Sequence, residues 1–234
     1  MRYKIASLTI LLAVAAVAAL GMTFRRGAQT ASDQARRPDP TTILARVRKA
    51  KARGATEVTF PAPKAFYADV GSLDEALLHY DAVIAKPVGK TSFLLDTHNV
   101  STFYKFQIVE RLSASKIGQA SPLSRSLPAG LPPAGPNQFY LMTGGGELTL
   151  EGVRVTVQSD MGELSPSQNY LLLMRLDQSG GAGMVELGPY GVFKVGPDDA
   201  VESIVAKAHL LKSDMESRYG NSVARLRAEL RRRN

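Results

Sequence analysis

The chain has no cysteine, and only three of its 234 residues are histidine. The missing cysteines exclude disulfide scaffolds, cysteine-ligated zinc or iron–sulfur centres, thiol nucleophiles and lipid-modified cysteine anchors. They leave the compartment open, because a disulfide-free protein is viable on either side of a membrane. The histidines, His79, His98 and His209, fall on an expected helix, a hairpin turn and a C-terminal helix, and no two have ligand spacing such as i, i+4. Long apolar runs are scarce as well. A single charge-free one, Ile5 to Phe24, stands at the N-terminus.

Positive charge is abundant overall, at +8, but it is missing from the centre of the chain. Residues 1–64 carry 12 Lys/Arg against 3 Asp/Glu, residues 65–197 carry 9 against 12, and residues 198–234 carry 8 against 6. A groove that tracks phosphates needs its charge on the folded body, so nucleic acid is not an expected partner. With 44% hydrophobic residues there is ample material for a core, and wholesale disorder is excluded.

Arg2 and Lys4 precede the apolar run, and Arg25 and Arg26 close it. Helical residues of that number rise about 30 Å, the thickness of a bilayer's hydrocarbon core. A signal peptide has a shorter apolar region, about 7–15 residues, followed by a small-residue cleavage site. Here Ala16-Val17-Ala18 sits inside the run, and cleavage there would leave Leu20, Met22 and Phe24 on the mature end. Residues 1–26 therefore read as an uncleaved signal-anchor in preference to a cleaved signal. That places the body in the periplasm or at the cell exterior, tethered through residues 5–24; cleavage would make it secreted or periplasmic. Residues 27–64 read as a linker carrying a basic helix from Thr42 to Arg53, capped by Thr41 or Thr42 and stopped at Gly54. Its charged face reads as solvated, with anionic lipid as the sharper alternative.

Residues 65–197 read as a β-rich domain. Ser72-Leu73-Asp74-Glu75 is a capping box before a short helix, Leu73 to Tyr80. Strands are expected at Asp81–Val88, where Pro87 ends the strand or marks an edge, and at Thr91–Leu95 and Val100–Leu112, joined as a hairpin around 96–99. Val100, Thr102, Tyr104, Phe106 and Ile108 share one face of the last strand. Further strands are expected at Gln138–Met142, Glu147–Gln158, Asn169–Leu176, Met184–Leu187 and Tyr190–Val195, with Tyr170–Leu176 the most central. Leu148 and Leu150 are out of phase with Val153, Val155 and Val157 across Gly152, which calls for a bulge or a tight bend. Residues 113–137, rich in proline, and 177–183, rich in glycine, read as surface loops. The fold class is mainly β (α+β): a small antiparallel barrel or sandwich with a short N-terminal helix, a C-terminal helix and a separate N-terminal hydrophobic helix. From Asp199 onward, Ile204, Ala208, Leu211, Met215, Tyr219, Val223, Leu226 and Leu230 follow one another at helical steps of three or four; Gly220 divides the segment, and the basic residues after Arg225 are expected in solvent.

Three constellations suggest chemistry and fail. Val88-Gly89-Lys90-Thr91 resembles the end of a phosphate-binding loop, but Ile84 stands where its first glycine belongs. Thr143-Gly144-Gly145-Gly146-Glu147 lies between strands and opens no helix, so it reads as a turn or bulge. Asp96 and His98 flank a turn without an assigned serine partner. Asn99-Val100-Ser101 fits a glycosylation sequon, which matters only in a eukaryotic secretory pathway. No catalytic, cofactor-binding or metal-binding residue is assigned, and no cofactor is implied.

Ser72-Leu73-Asp74-Glu75, Ala82-Val83-Ile84-Ala85, the run Phe103 to Glu110, the glycines at 144–146, Tyr170-Leu171-Leu172-Leu173 and Gly191-Val192-Phe193 occur in that order. The stretch from Ser72 to Val195 that carries them resembles a β-rich module of function-unknown exported bacterial proteins. The resemblance implies a structural scaffold and transfers no activity. The functional expectation is a non-enzymatic, exported module that binds or scaffolds a protein partner. The alternative is an extracytoplasmic hydrolase-like enzyme with a site built from loop residues.

Overall fold

The computed structural model describes residue 39, residues 41–63, residue 65 and residues 67–114, 127–176 and 181–233. The expected helix at 5–24 and most of residues 27–40 lie outside the described residues, as do residues 115–126 and 177–180 of the two expected loops. Among the described residues no helix is long and apolar enough to cross a membrane. Residues 41–234 form one compact unit.

The protein is mainly β, with one large mixed sheet, a smaller one and C-terminal helices. Helix α1 (Ile43–Lys51) opens the body. The Thr42 hydroxyl caps it, accepting from the Ala45 amide at 3.1 Å, and Gly54 at φ +81° ends its last turn. Its Ile43 and Val47 are buried. They pack with Phe60 of β1 (Glu57–Phe60) and with Val153, Val155 and Val157 of β6 (Val153–Val157). The apolar stripe of α1 thus lies on protein rather than on lipid, and residues 41–60, expected within a linker, supply part of a second core. β1 pairs parallel to β6, which pairs antiparallel with β5 (Gly146–Leu150).

Glu147–Gln158, expected as one bent strand, is the hairpin β5–β6. Glu151 and Gly152 form its tip at φ +51° and +81°. Leu150 faces Val153 and Leu148 faces Val155, so both pairs reach the same core. The one-residue phase flip is the signature of that tight turn, because opposed residues of a hairpin share a face.

After α2 (Leu73–His79) the large sheet begins. The Ser72 hydroxyl accepts from the Glu75 amide at 3.1 Å, and the Glu75 carboxylate accepts from the Gly71 amide at 2.7 Å, one residue further back than a capping box requires. β2 (Asp81–Leu94) and β3 (Val100–Ser113) make a long hairpin. It is extended by β4 (Gln138–Gly144) on one side and by β7 (Asn169–Leu176) and β9 (Val192–Val195) on the other. β8 (Ala182–Met184) pairs with both β4 and β7, so the succession β7-β2-β3-β4-β8 closes on itself. Tyr170 to Met174 of β7 are buried on both faces, as the sequence implies. Met184–Leu187 is a strand only at its first residue, and Tyr190 belongs to a 3-10 turn, Gly188–Gly191.

Pro87 does not end a strand: β2 runs through it, with a register shift between Pro87 and Gly89. The reason lies in the neighbours. β7 pairs with β2 only over Asp81–Ala85, so beyond Ala85 no strand needs an amide hydrogen from that side of β2.

The C-terminal segment departs most from expectation. Val201–Ser203 is not helical but forms an edge strand, β10, against β9. Helix α3 (Leu210–Tyr219) starts only at the His209 cap, and Ala208 is exposed. Gly220 at φ +56° ends α3 and leads into α4 (Val223–Arg233). Leu226 and Leu230 of α4 are buried in the main core. Arg227 donates from Nε and Nη2 to the two carboxylate oxygens of Glu110, each at 2.7 Å, and from Nη1 to Asp199 at 3.2 Å. The tail helix is therefore docked through its leucines and Arg227, while Arg231, Arg232 and Arg233 stay exposed as the sequence implies.

Candidate functional site: a polar cleft beside an open strand edge

Opposed residues of an antiparallel pair project from one face, and this rule builds the cleft. Lys90 of β2 stands opposite Tyr104 of β3, Ser92 opposite Thr102, and Thr102 opposite Thr143 of β4. This polar patch is the floor of a cavity of about 560 Å³, closed on its other side by Gly146, Thr156 and segment 158–163. Thr102 gives its one hydroxyl hydrogen to the Gly145 carbonyl at 2.9 Å. In the 2.8 Å contact between Ser92 and Thr102, Ser92 is then the donor. A Cβ on Gly146 would come within 2.1 Å of the Thr102 hydroxyl, and one on Gly145 within 2.5 Å of the Gln158 carbonyl. The glycine cluster is thus a close crossing between two sheets, not an anion loop.

Tyr104 accepts from the Leu164 amide at 3.4 Å, and burial pushes its phenol above the ordinary value. Lys90 is ion-paired with Glu163, and the hydrogen bond between them raises the ammonium pKa. Glu147 accepts from Arg154 at 3.0 Å. The lysine is thereby kept protonated, and both carboxylates are engaged by cations. Such a cleft can bind polar groups but offers no neutral amine as nucleophile.

The cleft borders an unpaired strand edge. The Leu95 amide donates to Asn99 O at 2.9 Å, and the Gly145 amide donates to Val100 O at 2.9 Å. Backbone direction alternates along a strand, so Thr91 and Phe93 face β3 while Lys90, Ser92 and Leu94 turn their N–H and C=O groups outward. From Gly89 to Leu94 the pairing with β3 is regular, and among the described residues no strand pairs with β2 on the outward side there. Lys86, Pro87 and the register shift interrupt this edge below Gly89, devices that keep an edge from pairing indiscriminately.

The residues singled out in the sequence separate in space. Val88-Gly89-Lys90-Thr91 lies within β2, an extended strand that cannot wrap a phosphate. Asp96 caps its own turn, accepting from the His98 and Asn99 amides and from Asn99 Nδ2 at 2.7–2.8 Å. The Asn99 side-chain bond first, then the His98 amide, holds its carboxyl low. The His98 ring contacts the Thr41 and Thr97 hydroxyls at 3.2 and 2.9 Å. His79 lies at the end of α2.

A serine–histidine contact that spacing did not announce occurs at Ser203 Oγ and His209 Nε2, 3.1 Å apart. Its polarity is wrong for catalysis. His209 Nδ1 accepts from the Lys212 amide at 3.3 Å as the cap of α3, so the neutral ring carries its hydrogen on Nε2 and donates to Ser203. The imidazole pKa is lowered, chiefly by burial and then by Lys212. This is an unusual helix cap. Among the described residues no cluster of three or more His, Asp or Glu could hold a metal ion. Comparison with family models, curated proteins and solved structures finds no match to this chain.

Proposed function

We propose that the protein is an exported, membrane-tethered binding module without a catalytic centre, whose body captures a polypeptide partner as an added strand on β2. The observation that carries this reading is the outward edge at Lys90, Ser92 and Leu94, with which no strand pairs among the described residues. An extended segment laid there gains main-chain hydrogen bonds, and its alternate side chains enter the cleft beside Lys90 and Ser92, giving specificity. Support for the absence of catalysis comes from the cleft itself: its lysine is ion-paired, the Ser92 hydroxyl is engaged by Thr102 and that of Thr102 by the Gly145 carbonyl, and its glutamates are salt-bridged. Support for export and tethering comes from residues 5–24, a charge-free run of bilayer length between basic flanks.

The test is a selection of displayed random peptides against the body, residues 41–234, followed by binding to Lys90→Pro. Proline at 90 removes one outward amide hydrogen and leaves the β2–β3 ladder intact. Selected peptides are expected to lose about tenfold or more in affinity for Lys90→Pro, and to bind Thr91→Ala as before. Peptides that bind Lys90→Pro undiminished would place recognition elsewhere.

A further inference from the structure

A second concavity lies on the opposite kind of surface, between the C-terminal helices. Arg218 and Tyr219 of α3 and Arg225, Glu229 and Arg232 of α4 line a cavity of about 350 Å³. Four arginines, counting Arg233, gather here against two carboxylates, Asp74 and Glu229. Arg218 and Arg233 share Asp74, each at 2.8 Å, and Arg232 lies 3.5 Å from Glu229, which also accepts from Arg233 at 3.0 Å. Among the described residues Arg225 has no carboxylate partner. Its guanidinium lies over the turn at Gly220, where a Cβ would meet Nη1 at 2.7 Å. The cluster therefore holds an excess of cationic forks around a space large enough for a tetrahedral anion and the atoms that carry it.

An independent observation points the same way. Tyr219 is 4% exposed, and its hydroxyl is buried with no hydrogen-bond partner among the described residues. A buried hydroxyl without a partner is rare and calls for a reason. An anion oxygen seated between the helices would supply one.

We propose that this pocket binds a phosphate group, carried either by a lipid headgroup or by a soluble phosphorylated molecule, with Arg225 as the principal ligand and Tyr219 as a donor. A polyanion such as nucleic acid is not the occupant, because residues 65–197 carry more Asp/Glu than Lys/Arg and offer no track for successive phosphates. The site is separate from the cleft and does not depend on it.

The full chain in a non-ionic detergent, followed through its arginine Nε–Hε resonances, is titrated with inorganic phosphate in one arm. In the other arm the micelles are doped with phosphatidic acid or with phosphatidylcholine. Saturable shifts of Arg218, Arg225 and Arg232 are expected, with phosphate if the source is soluble and with phosphatidic acid alone if it is lipid. Arg225→Gln should weaken binding by about tenfold or more, while Arg231→Gln, on the same helix but outside the pocket, should not. Tyr219→Phe gives the second readout: unchanged or higher melting temperature without ligand, and a smaller rise on adding it. Resonances that stay still in both arms, or equal weakening by Arg225→Gln and Arg231→Gln, would overturn the proposal.

Discussion

His209 joins α3 to the sheet through two bonds of opposite sense, accepting at Nδ1 and donating at Nε2. Protonation of Nδ1 destroys the acceptor that caps the helix. Because the folded-state pKa is depressed below the unfolded one, this histidine stabilises the fold above pH of about 6.5, and the contribution is lost as pH falls below it. Thermal melts of wild type and His209→Asn between pH 7.5 and 5 should show a decline in the wild type. The variant, whose amide oxygen caps without titrating, should be flatter by that contribution. Equal slopes would remove His209 from the account. The glycines make a sharper contrast. Gly145→Ala meets backbone at 2.5 Å and a φ of +83° at once, whereas Gly152, at φ +81°, has open space. Chemical denaturation should show Gly145→Ala destabilised by more than ~2 kcal/mol, with Gly152→Asn costing about 1 kcal/mol.

At the level of elements, α4 is the part whose role changed most between sequence and structure. Burial of Leu226 and Leu230 contributes about 1.5–3 kcal/mol each, and the Arg227–Glu110 fork ties the helix to β3. Removing residues 226–234 should lower the melting temperature by several degrees, at about 2–4 °C per kcal/mol for a chain of this size. Arg231→Ala, an exposed change, should leave it unmoved. The leucine stripe was visible in the sequence; what was not is the engagement of Arg227, because its partners Glu110 and Asp199 lie far away in the chain. Elements with a strong local signature were legible: the Ser72 cap, the alternation from Tyr104 to Gln107, the apolar run of β7, and the phase flip at Gly152. β10 was not. Its three residues carry no period, and they are extended because Val201 donates to Asn221 O and Ile204 to Val192 O, partners set by the tertiary fold. The cleft was illegible for a related reason. Lys90, Tyr104 and Thr143 meet only through strand register, Glu163 reaches them from the irregular segment after β6, and the neighbouring glycines looked like an ordinary turn.

For the whole molecule, the proposed tether and the proposed recognition surface are tested separately. Fractionation of the full chain should find it with membranes, and a protein starting at Arg36 should be released from them; full-length protein in the cytosolic fraction would contradict both export and anchoring. A screen of the body against ester, phosphoester, glycoside and peptide substrates should give no turnover. Activity abolished by His98→Ala would shift attention to the 96–99 turn. The central claim, that β2 presents an open edge which a partner strand completes, is tested most directly by backbone amide hydrogen exchange with and without a selected peptide. In the free protein the Lys90 and Ser92 amides should exchange fast while those of Thr91 and Phe93 are protected by β3, and peptide should slow Lys90 and Ser92 by about tenfold or more. Protection of Lys90 and Ser92 in the free protein, or peptide binding that leaves them fast, would contradict the account.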